Sequence, residues 1–199
     1  MSGRMFRSIP CAAILGLKQI IGVDRLDYSK GLPGRMQPFA RLLEKHPEHE
    51  RAVTYLQIAS PTREEVGAYA EICAQLEATA GTVNGKYADL TWTPIRYIHR
   101  TVPRSHLAGL LRASQAGLVT PLRHGMNLVA KEYMAAQDPT DPGILVLSRF
   151  AGAADELSQS LIVNPYVVDE IADAIAKALA MPLEERIARH GALEPYPAQ

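Results

Sequence analysis

The segment from Asp24 to Pro33 carries side chains that suit the binding of a diphosphate. Arg25 and Lys30 lie five residues apart in it and precede Gly31 and a predicted helix that begins near Pro33. A guanidinium and an ammonium group beside the free amides of a helix N-terminus can hold a diphosphate without a metal ion. The same residue types also suit a solvated loop with local Arg and Asp pairs, so spacing alone leaves both interpretations open.

A second loop of similar character follows the apolar segment that ends at Thr120. Gly125 permits a close approach of the backbone to a ligand, and Asn127 is a residue type that caps helices. Free amides near Leu128 and Val129 would then point toward a bound anion. Glycine-opened helices are common, so this pattern alone does not specify a ligand.

Glu132 lies further along the helix that the second loop opens. Its carboxylate can accept hydrogen bonds from two hydroxyls of a ribose, as the acidic residue of dinucleotide-binding folds does. An ion pair between Glu132 and Lys131 or another neighbour is the alternative interpretation.

The strands and helices that position these residues can be predicted from the spacing of apolar residues along the sequence. Short apolar segments alternate with longer segments of helical spacing, which is typical of stacked βαβ units. Strands are predicted at 19–23, 52–59, 94–99, 116–120, 143–148 and 161–163. Helices are predicted from Pro33 onward and at 63–80, 105–113, 127–136 and 168–180, with Gly81 as the C-cap of the helix at 63–80.

This pattern predicts an α/β fold, a doubly wound and mostly parallel Rossmann-like sheet of about six strands with helices on both faces. Such sheets bind ligands at the carboxyl ends of their strands, which is where both loops would lie.

The composition is that of an ordinary globular domain. The chain has 199 residues, of which 47% are hydrophobic and 21% charged, and its 21 Lys and Arg balance its 21 Asp and Glu. Disordered, collagen-like and coiled-coil classes are disfavoured, and the charge gives no argument for nucleic acid or an acidic membrane as a partner. No segment approaches the ~20 apolar residues of a membrane span. Cys11 and Cys73 lack the spacing of a disulfide scaffold or a zinc site, so we predict reduced thiols in a cytoplasmic protein.

Five segments carry a resemblance that spacing alone does not establish. Residues 22–31 are GVDRLDYSKG, 84–87 are NGKY, 117–122 are GLVTPL, 125–133 are GMNLVAKEY and 147–153 are LSRFAGA. In this order they are similar to segments of the trehalose-6-phosphate synthases, and several are highly specific to that family. The resemblance spans residues 19–190.

Members of that family are retaining glycosyltransferases of the GT-B type, with two Rossmann-like domains, and this chain resembles only the second, donor-binding domain. The resemblance implies that Arg25 and Lys30 bind the diphosphate of UDP-glucose and are the catalytic residues that support the leaving UDP. It also implies that Glu132 holds the ribose. The other implied donor contacts are Gly125, Met126, Asn127, the backbone of Leu128, and Val129. No metal and no cofactor besides the donor substrate are expected.

Two further arginines and one departure from the family pattern complete the predicted site. Arg104 resembles a position near the nucleotide, and Arg63 resembles one that reaches the phosphate of the acceptor, glucose 6-phosphate. Both residues also suit ordinary exposed positions. His124 stands where the family has an aspartate that accepts hydrogen bonds from the donor sugar, whereas a neutral imidazole offers one acceptor and one donor. The change either weakens binding of the donor sugar in the transition state, alters the sugar preference, or is a tolerated variant.

The family's first domain has no counterpart in the sequence. We predict a non-matching segment at 1–18, a UDP-glucose-binding domain at 19–190 and an irregular, proline-containing tail at 191–199. Because transfer needs donor and acceptor held together, the donor-binding half of such an enzyme, as a truncated or split gene product, should turn over little alone. The alternatives are a non-catalytic remnant, a subunit that docks a complementary N-terminal domain or a second copy, and a transferase with another donor sugar.

Overall fold

Six short strands pair in parallel to form the sheet on which the fold is built. The computed structural model describes residues 16–61, 66–123 and 125–192. Its strands are β1 (Lys18–Arg25), β2 (Val53–Ser60), β3 (Ile95–Ile98), β4 (Ala116–Val119), β5 (Ile144–Ser148) and β6 (Leu161–Val163). They lie in the order β3-β2-β1-β4-β5-β6, and every neighbouring pair is parallel. The predicted fold class is confirmed, and each predicted strand is present with small shifts at its ends.

Helices cover both faces of this sheet. They are α1 (Leu32–Lys45), α2 (Val66–Tyr87), α3 (Arg104–Arg112), α4 (Leu128–Ala136), α5 (Val168–Ala180) and α6 (Leu183–Gly191), with short 3₁₀ turns at Tyr28–Lys30 and Pro47–His49. Helices α1, α2 and α5 pack on one face of the sheet, and α3 and α4 pack on the other. Within the part of the chain that the structure describes, no helix is both long enough and apolar enough to cross a membrane.

The strands are apolar along most of their length because both of their faces are buried. Consecutive side chains of a strand point to opposite faces of a sheet. In β1, Ile20 packs on the α1, α2 and α5 side, whereas Ile21 packs with the residues of α3 and α4. A glycine in β4, Gly117, admits the ring of Tyr133 from α4, since a Cβ there would lie 2.8 Å from that ring.

Two helices differ from the prediction. Gly81 was predicted to end a helix, but it lies inside α2, which continues to Tyr87. The buried side of α2 continues past the glycine, with Ala80 and Val83 only 7% and 6% exposed, and this burial outweighs the roughly 1 kcal/mol that glycine costs in a helix interior. Helix α6 is absent from the prediction because its buried side chain is a charged residue, Arg186, and carries no apolar signal.

The carboxyl ends of β1 and β4 form the point where the connections of the sheet diverge. The chain leaves β1 for α1 on one face and leaves β4 for α4 on the other. Such a switch point opens the crevice in which α/β sheets bind ligands. The fold therefore places both predicted loops at the same crevice.

Replacing Gly81 by alanine is expected to stabilise the protein by roughly 0.5–1 kcal/mol, because alanine is the better helix former and the space around this glycine is open. Urea unfolding measures the change. Gly143→Ala is the matched control: its Cβ would meet the carbonyl oxygens of Ser114 and Gln115, and a loss of about 1–3 kcal/mol or more is expected. A loss of stability in Gly81→Ala would instead indicate the left-handed backbone of a C-cap.

Asp27 caps the 3₁₀ turn after β1, where its Oδ1 accepts a hydrogen bond of 2.7 Å from the Ser29 amide. Hydrogen bonding from Ser29 holds the pKa of the Asp27 carboxyl below its ordinary value, and the charges of Lys30 and Arg25 act in the same direction. Folding therefore favours the ionised form, whose contribution is present above the ordinary pKa of 3.8 and is lost as the pH falls through the lower folded value.

Asp27→Ala is accordingly expected to lower the free energy of unfolding at pH 7 by about 0.5–1 kcal/mol, the low end for a cap because this residue is only partly buried. The difference from wild type should shrink toward pH 3. Asp27→Asn keeps an acceptor oxygen without the charge and should show a smaller loss at pH 7. An Asp27→Ala difference that is the same at both pH values would contradict the assignment.

Candidate functional site

The two predicted loops touch each other at the carboxyl edge of the sheet. The amide of Leu122, after β4, donates a hydrogen bond of 2.8 Å to the carbonyl oxygen of Ser29, after β1. The side chain of Leu122 lies over Gly31, where a Cβ would be 2.7 Å from Leu122 Cγ and where φ is +62°. Gly31 is thus needed both for its backbone conformation and for the close approach of the second loop.

Lys30 bridges the two loops through its side chain. Its Nζ donates a hydrogen bond of 2.9 Å to Asn127 Oδ1, and Asn127 Nδ2 in turn donates one of 2.8 Å to the carbonyl oxygen of Gly125. Asn127 is 6% exposed and has a positive φ of 48°, a conformation that asparagine tolerates better than most residues. The ammonium group of Lys30, predicted as a ligand-binding group of the first loop, therefore contacts the second loop.

The interpretation of Asn127 as a helix cap is corrected by this geometry. Asn127 occupies the N-cap position of α4, but its side chain makes no capping hydrogen bond because its oxygen accepts from Lys30. Helix α4 thus begins at Leu128 without a side-chain cap, which leaves the positive end of the helix directed at the crevice.

A buried ion pair between Asp24 and Arg35 lies beneath the loops, with the two side chains 4% and 0% exposed. Arg35 Nε also donates to Thr120 Oγ1 at 3.1 Å, and Nη2 donates to the carbonyl oxygen of Lys30 at 3.0 Å. Burial opposes the charge of Arg35, but the facing carboxylate outweighs this effect and holds the pKa of Arg35 above its ordinary value. The guanidinium therefore stays charged and ties together the ends of β1 and β4 and the turn between β1 and α1.

Most of the other predicted donor contacts are exposed to solvent. Arg25 is the last residue of β1 and is exposed, and Glu132 is exposed in α4. Met126 and Leu128 are 69% and 56% exposed, while Val129 is half-buried.

Arg104 follows a strand that is not part of this meeting point. Arg104 is the first residue of α3, which follows β3, and it is exposed. Since β3 is two strands from β1, the end of the strand that precedes Arg104 lies roughly 10 Å along the same edge at the usual strand spacing. His124 and Arg63 lie outside the described residues, so their roles stay predictions.

Arg35 is not among the site residues predicted from the sequence, although the sequence carries a signal for it. Arg35 lies four residues before Phe39, on the apolar side of α1, where a charged residue needs a buried partner. Asp24, a carboxylate at the end of a strand, is the partner that the spacing alone did not identify.

Chemically, the crevice combines an ammonium group, an exposed guanidinium near it in the chain and an uncapped helix start. Each of these favours a negatively charged ligand, and together they suit a phosphate or diphosphate. Across residues 16–61, 66–123 and 125–192, no group of three His, Cys, Asp or Glu side chains is placed to hold a metal ion.

Comparison with known proteins agrees with this fold. The sequence profile of glycosyltransferase family 20 matches residues 13–196. The trehalose-6-phosphate synthase of Enterobacter sp. (strain 638) is 58% identical over 174 residues, which are 87% of this chain and 37% of that protein. The trehalose-6-phosphate synthase of Cronobacter sakazakii is 58% identical over 179 residues, which are 90% of this chain and 38% of that protein.

Solved structures superpose closely on the chain. An α,α-trehalose-phosphate synthase (UDP-forming) from Burkholderia xenovorans in complex with glucose-6-phosphate is 57% identical, with a TM-score of 0.88 over 92% of this chain and 40% of that one. A structure from E. coli described as bound with UDP-2-fluoro glucose is 54% identical, with the same TM-score and coverage. The chain thus spans about 40% of the length of these relatives. The extent of the profile match and the level of identity show that the chain belongs to glycosyltransferase family 20.

Proposed function

We propose that this chain binds UDP-glucose where the two loops meet and supplies the donor site for transfer of glucose to glucose 6-phosphate, the reaction of a UDP-forming α,α-trehalose-phosphate synthase. The observation that carries the proposal is the hydrogen bond from Lys30 to Asn127, which joins the predicted diphosphate-binding lysine to the predicted donor loop. The relatives with bound UDP-2-fluoro glucose and glucose-6-phosphate support the choice of substrates.

The charges at the crevice suit the departure of a diphosphate. As the bond between the sugar and the diphosphate breaks, negative charge grows on the leaving oxygen, and fixed cations stabilise it most in the transition state. An ammonium group has three N–H donors, so the bond from Lys30 to Asn127 leaves further donors for phosphate oxygens. Arg25 adds a guanidinium that can bind two oxygens at once.

The remaining predicted residues take supporting roles in this proposal. The Leu128 amide faces the diphosphate, Glu132 accepts from the ribose, and Arg104 lies near the nucleotide. The loop through Gly125, Met126, Asn127 and Val129 surrounds the donor, His124 contacts its sugar, and Arg63 binds the acceptor phosphate. Transfer without a metal ion and a location in the cytoplasm stay predictions from the sequence.

A second candidate function, docking of a complementary domain, is favoured by the apolar surface at this edge. Among the exposed large apolar residues are Tyr28, Met126, Leu128, Tyr166 and Val167, with exposed fractions from 41% to 69%. Such surfaces typically lie between two domains or subunits. Under this interpretation, the acceptor site forms only when a second domain covers this edge. That domain would be equivalent to the part of the relatives that the chain does not match.

The donor site is tested by calorimetric titration of the purified chain with UDP and UDP-glucose. Lys30→Ala and Arg25→Ala are each expected to weaken UDP binding by about tenfold or more, since a charge-assisted hydrogen bond contributes roughly 1.5–3 kcal/mol. Lys86→Ala and Arg112→Ala remove exposed cations that pair with Glu44 and Asp138 elsewhere on the surface, and should bind UDP as wild type does. Absence of UDP binding by a folded wild-type chain would overturn the proposal.

The chain alone is expected to form little or no trehalose 6-phosphate, because the acceptor is not held beside the donor. Mixing it with the separately produced N-terminal remainder of the Enterobacter relative should restore turnover, measured as release of UDP. Lys30→Ala in the same mixture is the control, and it should form the complex, as seen by light scattering, without turnover. Rates of about 1 s⁻¹ or more from the chain alone would contradict the half-site argument. A mixture that neither associates nor reacts would count against docking.

A further inference from the structure

We propose that Arg35 is a positioning residue of the donor site: it contacts no ligand but sets where the Lys30 ammonium stands relative to the second loop. The inference rests on the proposed function, since it concerns the same crevice. It assigns a role in ligand binding to a residue that is fully buried beneath the site.

The guanidinium of Arg35 connects three segments of the chain through hydrogen bonds. Its three guanidinium nitrogens point to three different parts of the chain: one to the Asp24 carboxylate at the end of β1, one to Thr120 after β4, and one to the carbonyl oxygen of Lys30. A planar guanidinium can satisfy three such acceptors in fixed directions, whereas a lysine ammonium on a flexible stem cannot reproduce that spread.

The contact with the Lys30 carbonyl matters because it fixes the backbone of the residue whose side chain reaches the crevice. The hydrogen bond from Lys30 Nζ to Asn127 fixes the other end of the same residue at 2.9 Å. With both ends held, the ammonium has little freedom to move, and binding groups that are displaced by about 1 Å lose much of their effect.

The contact with Thr120 extends this control to the second loop. Thr120 is 3% exposed and is the last residue before the loop that leads to Asn127. Arg35 is therefore hydrogen bonded at the base of both loops. Its loss would change the distance between Lys30 and the start of α4 as well as the stability of the fold.

A role in stability alone must be distinguished from this positioning role. Arg186 offers a matched control, because it is also a buried arginine, 9% exposed, that pairs with an aspartate and a backbone carbonyl, those of Asp141 and Pro142. Those partners precede β5, at the edge of the sheet opposite to the crevice. Arg35→Lys and Arg186→Lys both keep a positive charge while they remove the guanidinium.

The experiment measures thermal unfolding and UDP affinity for the two variants of the full chain. Both are expected to unfold at a lower temperature than wild type. Arg35→Lys should in addition bind UDP about tenfold more weakly when it is folded, whereas Arg186→Lys should bind as wild type does. Equal UDP affinity in folded Arg35→Lys and wild type would overturn the inference and leave the proposed function intact. A folded wild-type chain that binds no UDP would overturn both.

A double-mutant cycle measures the coupling between Arg35 and Lys30 in UDP affinity. A purely structural role of Arg35 would give no such coupling. If Arg35 acts through Lys30, then Lys30→Ala should weaken UDP binding much less in the Arg35→Lys background than in wild type, because the ammonium is already misplaced. Full additivity of the two effects would contradict positioning.

Thr120→Val is the milder variant should Arg35→Lys not fold. It removes the acceptor of Arg35 Nε while keeping the branched shape of the side chain. An affinity for UDP about three- to tenfold below that of wild type is expected, in line with the loss of one buried hydrogen bond. Wild-type affinity in folded Thr120→Val would also overturn the inference.

Discussion

The end of the sheet that carries the site depends on the buried ion pair between Asp24 and Arg35. Removing two charges from water is costly, and a buried pair is tolerated only where its remaining hydrogen-bonding groups are satisfied. Here Thr120 and the Lys30 carbonyl complete the partners of the guanidinium. Because the loss of any one partner would leave a buried polar group unsatisfied, the three chain segments are held in a single arrangement.

The polar layer around this pair continues into the sheet. Tyr55 and Gln57, both in β2 and fully buried, are hydrogen bonded to each other, and Gln57 Nε2 donates to the carbonyl oxygen of Gly22 at 3.2 Å. A Cβ on Gly22 would lie 2.6 Å from Gln57 Oε1, so glycine in β1 is what admits these side chains. Strands β1 and β2 are thus joined by buried side-chain hydrogen bonds whose members fix one another's orientation.

The sequence predicted the sheet and the position of both loops at its carboxyl edge, because both follow from local signals and one general rule. Short apolar segments indicate buried strands, and parallel α/β sheets bind their ligands at the carboxyl ends of those strands. That rule placed Lys30 and Gly125 at one edge, and the hydrogen bonds through Asn127 confirm that the two loops meet there.

What the sequence did not predict depends on partners that are distant in the chain. Asn127 has the local signature of a helix cap, but its side-chain oxygen accepts a hydrogen bond from Lys30, which lies 97 residues earlier in the chain. Thr120 is 85 residues from Arg35, so no window of periodicity relates them. Gly81 has the local signature of a helix end, yet burial of the neighbouring turns carries α2 through it.

The bridge from Lys30 to Asn127 also bears on how quickly the crevice could engage an anion. A lysine side chain that is ordered only on binding loses up to about 2 kcal/mol of rotamer entropy at that moment. In this chain the hydrogen bond of 2.9 Å to Asn127 restrains the ammonium through contacts within the fold itself. A diphosphate that reached the crevice would meet an ammonium already restrained by the fold, so its association would depend on diffusion and long-range attraction more than on rearrangement of that side chain.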